Sequence, residues 1–168
     1  MARVLIAHAS LEGQTARIAG AVAGRLGSLG HRVELRDAAE GFEVARCDAL
    51  VVGASVHYGR HPASLRAALR RQRDALGAKP GAFFSVSLSA SEQYAADFLR
   101  QAGWRPQLVG TFAGALKYSR YGWFKRRLLQ AFARFGGHST DTSRDHDYTD
   151  WVAVAHFADA FAALLARA

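Results

Sequence analysis

Between the apolar run "RVLIA" and a long alternation of alanine, arginine and leucine stands "HASLEGQT", His8 to Thr15. Ser10, Gly13 and Thr15 give it the pattern Ser-x-x-Gly-x-Thr. A glycine and hydroxyl-bearing residues between a strand and a helix present backbone N–H groups and O–H donors to an anion, and the helix N-terminus adds favourable polarity. The chemistry on offer is a phosphate cradle. The loop lacks the Gly-Lys-Ser/Thr ending of a triphosphate loop and the G-x-G-x-x-G spacing of a dinucleotide fingerprint, so neither nucleotide hydrolysis nor NAD binding is supported. Taken alone, it is equally consistent with a helix capped by Ser10 and nothing bound.

A second concentration of chemistry lies in "GALKYSRYGWFKRRLLQAFARFGG", Gly114 to Gly137, which carries Lys117, Arg120, Lys125, Arg126, Arg127 and Arg134 and no acid. On a helix, Phe124, Leu128, Phe132 and Phe135 fall within roughly an 80° sector, with Arg126, Arg127 and Arg134 opposite. Such a segment suits the headgroup region of an anionic bilayer. It equally suits a phenylalanine stripe packed on the domain beneath a solvated basic face. The net charge of +8 favours anionic partners in general. Nucleic acid is not expected, because no RNA-binding motif accompanies the charge. Cys47 is the only cysteine, and the seven histidines show no ligand spacing, so no disulfide and no metal site are expected. Asp141 and Asp150 read as turn and N-cap residues in "STDT" and "YTDW".

The elements that position these groups follow from periodicity. Val4 to Ala7, "HRVELRD", "DALVVGAS", "GAFFSVSL" and "PQLVGTFAG" read as five strands, several of them continuous apolar runs that suit central parallel strands. Helices are expected over Gln14 to Ser28, over "HPASLRAALRRQRDALG" with Pro62 in its first turn, after Ser89 with Glu92 in capping-box spacing, and from Trp151 onward. Strands alternating with helices predict an α/β fold, a doubly wound five-stranded parallel sheet of order 2-1-3-4-5 with helices on both faces. Ligands in such sheets bind beyond the carboxyl ends of the strands, which singles out the loops Ser10 to Thr15, Ala54 to His61 and Ser87 to Ser91. With 168 residues and no linker or repeat, one domain is expected. The N-terminal apolar run is too short for a signal peptide and nothing approaches the ~18 apolar residues of a membrane span, so a cytoplasmic protein is expected.

"SLEGQT" resembles the phosphate loop of flavodoxins. Together with "GASVHYGRHPASL", "WRPQLVGTFAGALKYSRYGWFKR" and "GGHSTDTSRDHDYTDW", it makes nearly the whole chain similar to the flavodoxin-like, quinone-dependent bacterial protoporphyrinogen oxidases. The resemblance implies a single flavodoxin-like FMN-binding domain over residues 1–168. It implies oxidation of protoporphyrinogen IX to protoporphyrin IX, with menaquinone or ubiquinone as acceptor, by a protein peripheral on the inner face of the cell membrane. Ser10, Leu11, Glu12, Gly13, Gln14 and Thr15 would then surround the FMN phosphate. Ala54, Ser55, Val56, His57, Tyr58 and Gly59, with Ser87, Leu88, Ser89 and Ala90, would border the ring, Tyr58 lying against it. Arg60, Lys117 and Arg120 would receive propionates, Tyr118, Tyr121 and Trp123 would offer flat apolar surface, and Lys125 and Arg126 would face the membrane. His57 and His61 are the candidate proton acceptors. The stretch from Ser87 to Phe98 lacks the long insertion of the best-known relatives. The alternatives are a flavodoxin-type electron carrier, an NAD(P)H-quinone reductase, and a membrane- or nucleic-acid-associated module whose phosphate loop is vestigial.

Overall fold

The computed structural model describes residues 1–116 and 146–167. Five strands, β1 (Arg3–Ala9), β2 (Arg32–Asp37), β3 (Ala49–Ser55), β4 (Gly81–Ser87) and β5 (Leu108–Ala113), form one parallel sheet in the order β2-β1-β3-β4-β5. The expected order is therefore the observed one. The helices are α1 (Gln14–Ser28), α2 (Ala63–Arg71), α3 (Arg73–Gly77), α4 (Glu92–Ala102) and α5 (Trp151–Leu165). A short antiparallel pair, β6 (Ala115–Leu116) with β7 (His146–Asp147), was not anticipated from the sequence pattern.

Alternation along each strand divides the apolar residues into two cores. Val4 and Ile6 of β1, Val51 of β3 and Phe84 of β4 meet Ile18 and Val22 of α1 and Val154, Phe157 and Phe161 of α5. On the other face Leu5, Leu50, Val52 and Phe83 meet Leu65, Leu69 and Leu76 of α2 and α3 and Phe98 and Leu99 of α4. A fully buried side chain of this size contributes about 1.5–3 kcal/mol. Strands β3 and β4 are buried along nearly their whole length, and mostly apolar, because both of their faces are covered.

Two local expectations are corrected. The single helix expected over 61–77 is broken at Gln72, with Pro62 as its N-cap. The reason is tertiary: the Gln72 amide accepts from Val44 N at 2.8 Å and donates to Phe42 O at 3.0 Å, so the residue leaves the helix to hold the chain entering β3. Nor does Ser89 cap α4. Ser91 occupies the N-cap without a side-chain bond, and its own N–H is bound by Ser87 Oγ at 3.3 Å. Gly103 closes α4 in the left-handed region as expected.

Gly53 permits the closest packing in the sheet. A β-carbon there would fall 2.0 Å from Cζ of the buried Phe84 ring. Gly53→Ala is expected to destabilise by about 3 kcal/mol, the upper range for overpacking. Gly24→Ala on α1, where a β-carbon meets nothing within 4 Å, is expected to stabilise by roughly 0.5–1 kcal/mol. Urea unfolding of the two variants measures both.

Candidate functional site

Because all five strands run the same way, their carboxyl ends and the loops that follow gather at one edge. The first loop is built around Gly13, whose φ of 87° is left-handed and whose N–H is accepted by Ser10 Oγ at 3.0 Å. Ser10 therefore folds the loop, and Gly13 is the N-cap of α1. No acid sits in the first turn of that helix, and its leading N–H groups have no intrahelical acceptor. Beneath them Thr15 is almost completely buried, at 1% exposure, and its Oγ1 has no partner among the described residues. A buried hydroxyl left unbonded costs about 1–3 kcal/mol. His8, at the end of β1 on the face shared with Val4 and Ile6, likewise leaves Nδ1 buried and unpartnered. An anion over the α1 N-terminus would supply the missing acceptor for Thr15. His8 was overlooked in the sequence, although a polar residue closing "RVLIAHA" was the available signal.

The last described segment ties this loop down. Gln14, itself buried, donates to Asp147 Oδ1 at 3.0 Å and to Thr149 Oγ1 at 2.8 Å. Thr149 in turn donates to Ala113 O at the end of β5, at 2.9 Å. Arg17 donates to Gln14 Oε1 and Asp147 Oδ2 and lies 5.2 Å from the centre of the Trp151 ring. Burial alone would raise the Asp147 carboxyl, but hydrogen bonds from Thr149 and Gln14 and the Arg17 charge outweigh it and hold its pKa low. Asp150 accepts from Val152 and Ala153 N–H groups, the N-cap role expected of it.

The second loop is a two-residue turn closed by His57 N to Arg60 O at 2.8 Å and Arg60 N to His57 O at 3.0 Å. Both central residues have positive φ, 49° at Tyr58 and 75° at Gly59, the requirement of a type I′ turn. Tyr58 is 91% exposed despite its ring, and a non-glycine residue in that region is strained. Ser55 Oγ donates to Ala9 O and Val56 N to Val86 O, joining the second loop to the first and third. The His57 ring stands 4.0 Å from the Glu12 carboxylate. In the third loop Ser87 O accepts from Ala90 and Gly114 N–H groups, and Ala90 also has a left-handed φ, 49°. Tyr94 of α4 reaches the Tyr58 turn, its Cε1 lying 3.9 Å from where a β-carbon of Gly59 would stand.

Residues 5–143 match the model of the Flavodoxin domain family. The chain is 36% identical over 174 residues to the protoporphyrinogen IX dehydrogenase (quinone) of Leishmania major, covering 96% of this chain and 75% of that protein. It is 33% identical over 167 residues to the protein of the same name from Escherichia coli strain K12, covering 93% and 92%. This chain belongs to the protoporphyrinogen IX dehydrogenase family of flavodoxin-domain proteins. A flavodoxin of Streptococcus pneumoniae TIGR4 superposes with a TM-score of 0.59 at 16% identity, covering 96% of this chain and 99% of that one. A short-chain flavodoxin associated with a PDU bacterial microcompartment does so with 0.56 at 16%, covering 98% and 99%. These two share the fold.

Set against that family, the three loops bring Ser10 to Thr15, Ser55 to Arg60 and Ser87 to Ala90 to one edge of the sheet. Ala54 is fully buried in the second core, and Leu11 and Tyr58 are the exposed large apolar side chains of the loops. Lys117, Tyr118, Arg120, Tyr121, Trp123, Lys125, Arg126 and Asp141 lie outside the described residues. A depression of about 570 Å³ beside Leu99, Trp104 and Val109 sits at the opposite end of β5 and takes no part in the site.

His61 departs from its expectation as a proton acceptor. It is buried, with Nδ1 bonded to Ser55 O at 3.0 Å and Nε2 to Ser85 Oγ at 3.1 Å, edge-on to Phe83 and Phe98. Burial depresses its pKa below the ordinary 6.5, against a smaller opposing effect of the Ser55 carbonyl. The unfolded chain therefore takes a proton that the folded ring refuses. Stability is fully present above about pH 6.5 and declines as pH falls from there towards the lower folded value. His61→Phe removes that part of the decline. Urea unfolding of wild type and His61→Phe between pH 8 and pH 5 measures it, and parallel profiles contradict it.

Proposed function

We propose that this chain oxidises protoporphyrinogen IX to protoporphyrin IX, with FMN as its cofactor and a membrane quinone, menaquinone or ubiquinone, as electron acceptor. The observation that carries this is the junction of an anion-ready loop, its Thr15 hydroxyl buried without a partner, with family relatedness over 93% of the chain. FMN, when bound, supplies the two-electron redox chemistry, and the protein supplies binding, orientation and electrostatics.

Ser10 to Thr15 hold the phosphate, through the backbone N–H groups that open α1 and through the Thr15 hydroxyl. No cation of the loop itself neutralises it, so neutral donors and the helix terminus carry the interaction. Tyr58 places its ring face against the isoalloxazine, with Ser55, Val56, His57 and Gly59 along its edge. Ser87, Leu88, Ser89 and Ala90 would border it from the end of β4 and the loop that follows. Arg60, on the Tyr58 turn and exposed, meets a propionate through its planar fork, with Lys117 and Arg120 as further partners by their place in the chain. Tyr118, Tyr121 and Trp123 offer apolar surface to macrocycle or quinone. His57, half-buried beside Glu12, is the remaining candidate to take a pyrrole proton. Among the described residues no helix is long and apolar enough to cross a membrane. Lys125 and Arg126 bring the protein to the anionic inner face of the cell membrane, where the quinone resides.

The FMN-loaded protein, incubated anaerobically with protoporphyrinogen IX and a soluble menaquinone analogue, is expected to produce porphyrin fluorescence only when protein and quinone are both present. No enhancement over the protein-free control, with flavin bound, would overturn the substrate.

A further inference from the structure

We propose that His61 is a positioning residue that holds the Tyr58 turn at the flavin ring, acting through the Ser55 carbonyl and the Ser85 hydroxyl. This rests on the reading that Tyr58 lies against the ring.

The bonding of the imidazole fixes its state. A carbonyl oxygen only accepts, so the Nδ1 that lies 3.0 Å from Ser55 O carries the hydrogen. Nε2 then presents a lone pair, and the Ser85 hydroxyl at 3.1 Å donates to it. One neutral tautomer satisfies both contacts. Its ring edges meet Phe83 at 5.6 Å and Phe98 at 5.0 Å, which fix its orientation.

The bonds matter because of where they sit. The chain leaves β3 at Ser55, makes the turn and arrives at His61, whose ring reaches back to the residue at which the excursion began. The span from Ser55 to His61 is thus closed at its base by a side chain and pinned to β4 through Ser85. Inside that closure the turn's backbone is held by two mutual bonds between His57 and Arg60, with Glu12 beside the His57 ring and Tyr94 beside Gly59. A short hairpin standing alone is marginal in water. Tyr58 adds nothing to its own retention: its backbone is left-handed and its side chain is 91% exposed. A strained, unpacked residue persists only when its surroundings over-determine it; Ser55 Oγ to Ala9 O and Val56 N to Val86 O tie the start of the span to the sheet, and His61 ties its end. Packing edge-on against the stacked Phe83 and Phe98 needs only an apolar ring; bonding at both nitrogens is what the turn needs.

The test compares full-length wild type, Tyr58→Ala, His61→Phe, His61→Gln and Ser85→Ala. The readouts are amide hydrogen exchange at His57 and Arg60 in the flavin-free protein, and affinity for FMN and for riboflavin with quenching of flavin fluorescence. His61→Phe keeps the ring and loses both bonds. It is expected to speed exchange at the two amides and weaken both ligands about tenfold, the effect of roughly one lost hydrogen bond. His61→Gln, with an N–H donor and a carbonyl acceptor, is expected to recover most of each. Ser85→Ala is expected to shift every readout less in the same direction, and it carries the comparison if His61→Phe does not fold. Wild-type exchange and affinity in His61→Phe, or a loss that His61→Gln does not recover, would make His61 a packing residue and overturn the proposal. If Tyr58→Ala leaves affinity and quenching unchanged, the placement of Tyr58 at the ring fails and the role of His61 there falls with it. A loss in Tyr58→Ala with none in His61→Phe rejects the His61 role alone.

Discussion

The structure depends on a circuit of hydrogen bonds at the carboxyl edge of a parallel sheet. Parallel strands all leave the sheet at that edge, and the backbone groups there run out of ladder partners. Ser55 bonds to Ala9, Val56 to Val86, Gly114 to Ser87, Thr149 to Ala113, and Gln14 to Thr149. The links join strand ends and the loops that follow them to one another. The circuit includes residues 135 positions apart, so the first loop has its shape only when the last helix is docked. Breaking one link leaves a buried polar group unpaired, which is the expensive way to lose a hydrogen bond.

Against this satisfied background, Thr15 Oγ1 and His8 Nδ1 stand out as the buried side-chain atoms without a partner among the described residues. Thr15 lies in the first turn of α1, where helix polarity favours an anion, and His8 closes β1 just before the same loop. Strain is concentrated at the same edge, in the left-handed Tyr58 and Ala90. A fold that satisfies its polar groups elsewhere and leaves strain and open valence together has concentrated its binding function there. The phosphate end is fixed by the circuit, whereas the ring end is carried by short turns that need their own anchors.

The sheet was legible because apolar runs such as "DALVVGAS", alternating with amphipathic stretches, suit parallel strands covered on both faces, whereas the loop "SLEGQT" read alone left a phosphate cradle and an empty capped helix equally open. What escaped the sequence was set by distant partners. Gln72 breaks its helix for Phe42 and Val44, 30 and 28 residues earlier. His61, in a stretch that reads as exposed loop, is buried because Phe83 of β4 and Phe98 of α4 close over it. Gln14 reads as a loop amide near phosphate, yet its side chain is committed to Asp147 and Thr149, which no local pattern reveals. The capping-box spacing of Ser89 and Glu92 was real in the sequence but yielded to the left-handed Ala90, which turns the chain so that Ser91 meets the helix instead.

The proposed partner of the buried Thr15 hydroxyl is the cofactor phosphate. Calorimetric titration of wild type and Thr15→Val with FMN and with riboflavin, which lacks the phosphate, isolates it. In Thr15→Val, FMN affinity should fall about tenfold while riboflavin affinity holds and the flavin-free protein, relieved of an unpaired buried hydroxyl, is at least as stable as wild type. Equal FMN binding by the two proteins, or an equal loss for both ligands, would contradict the account.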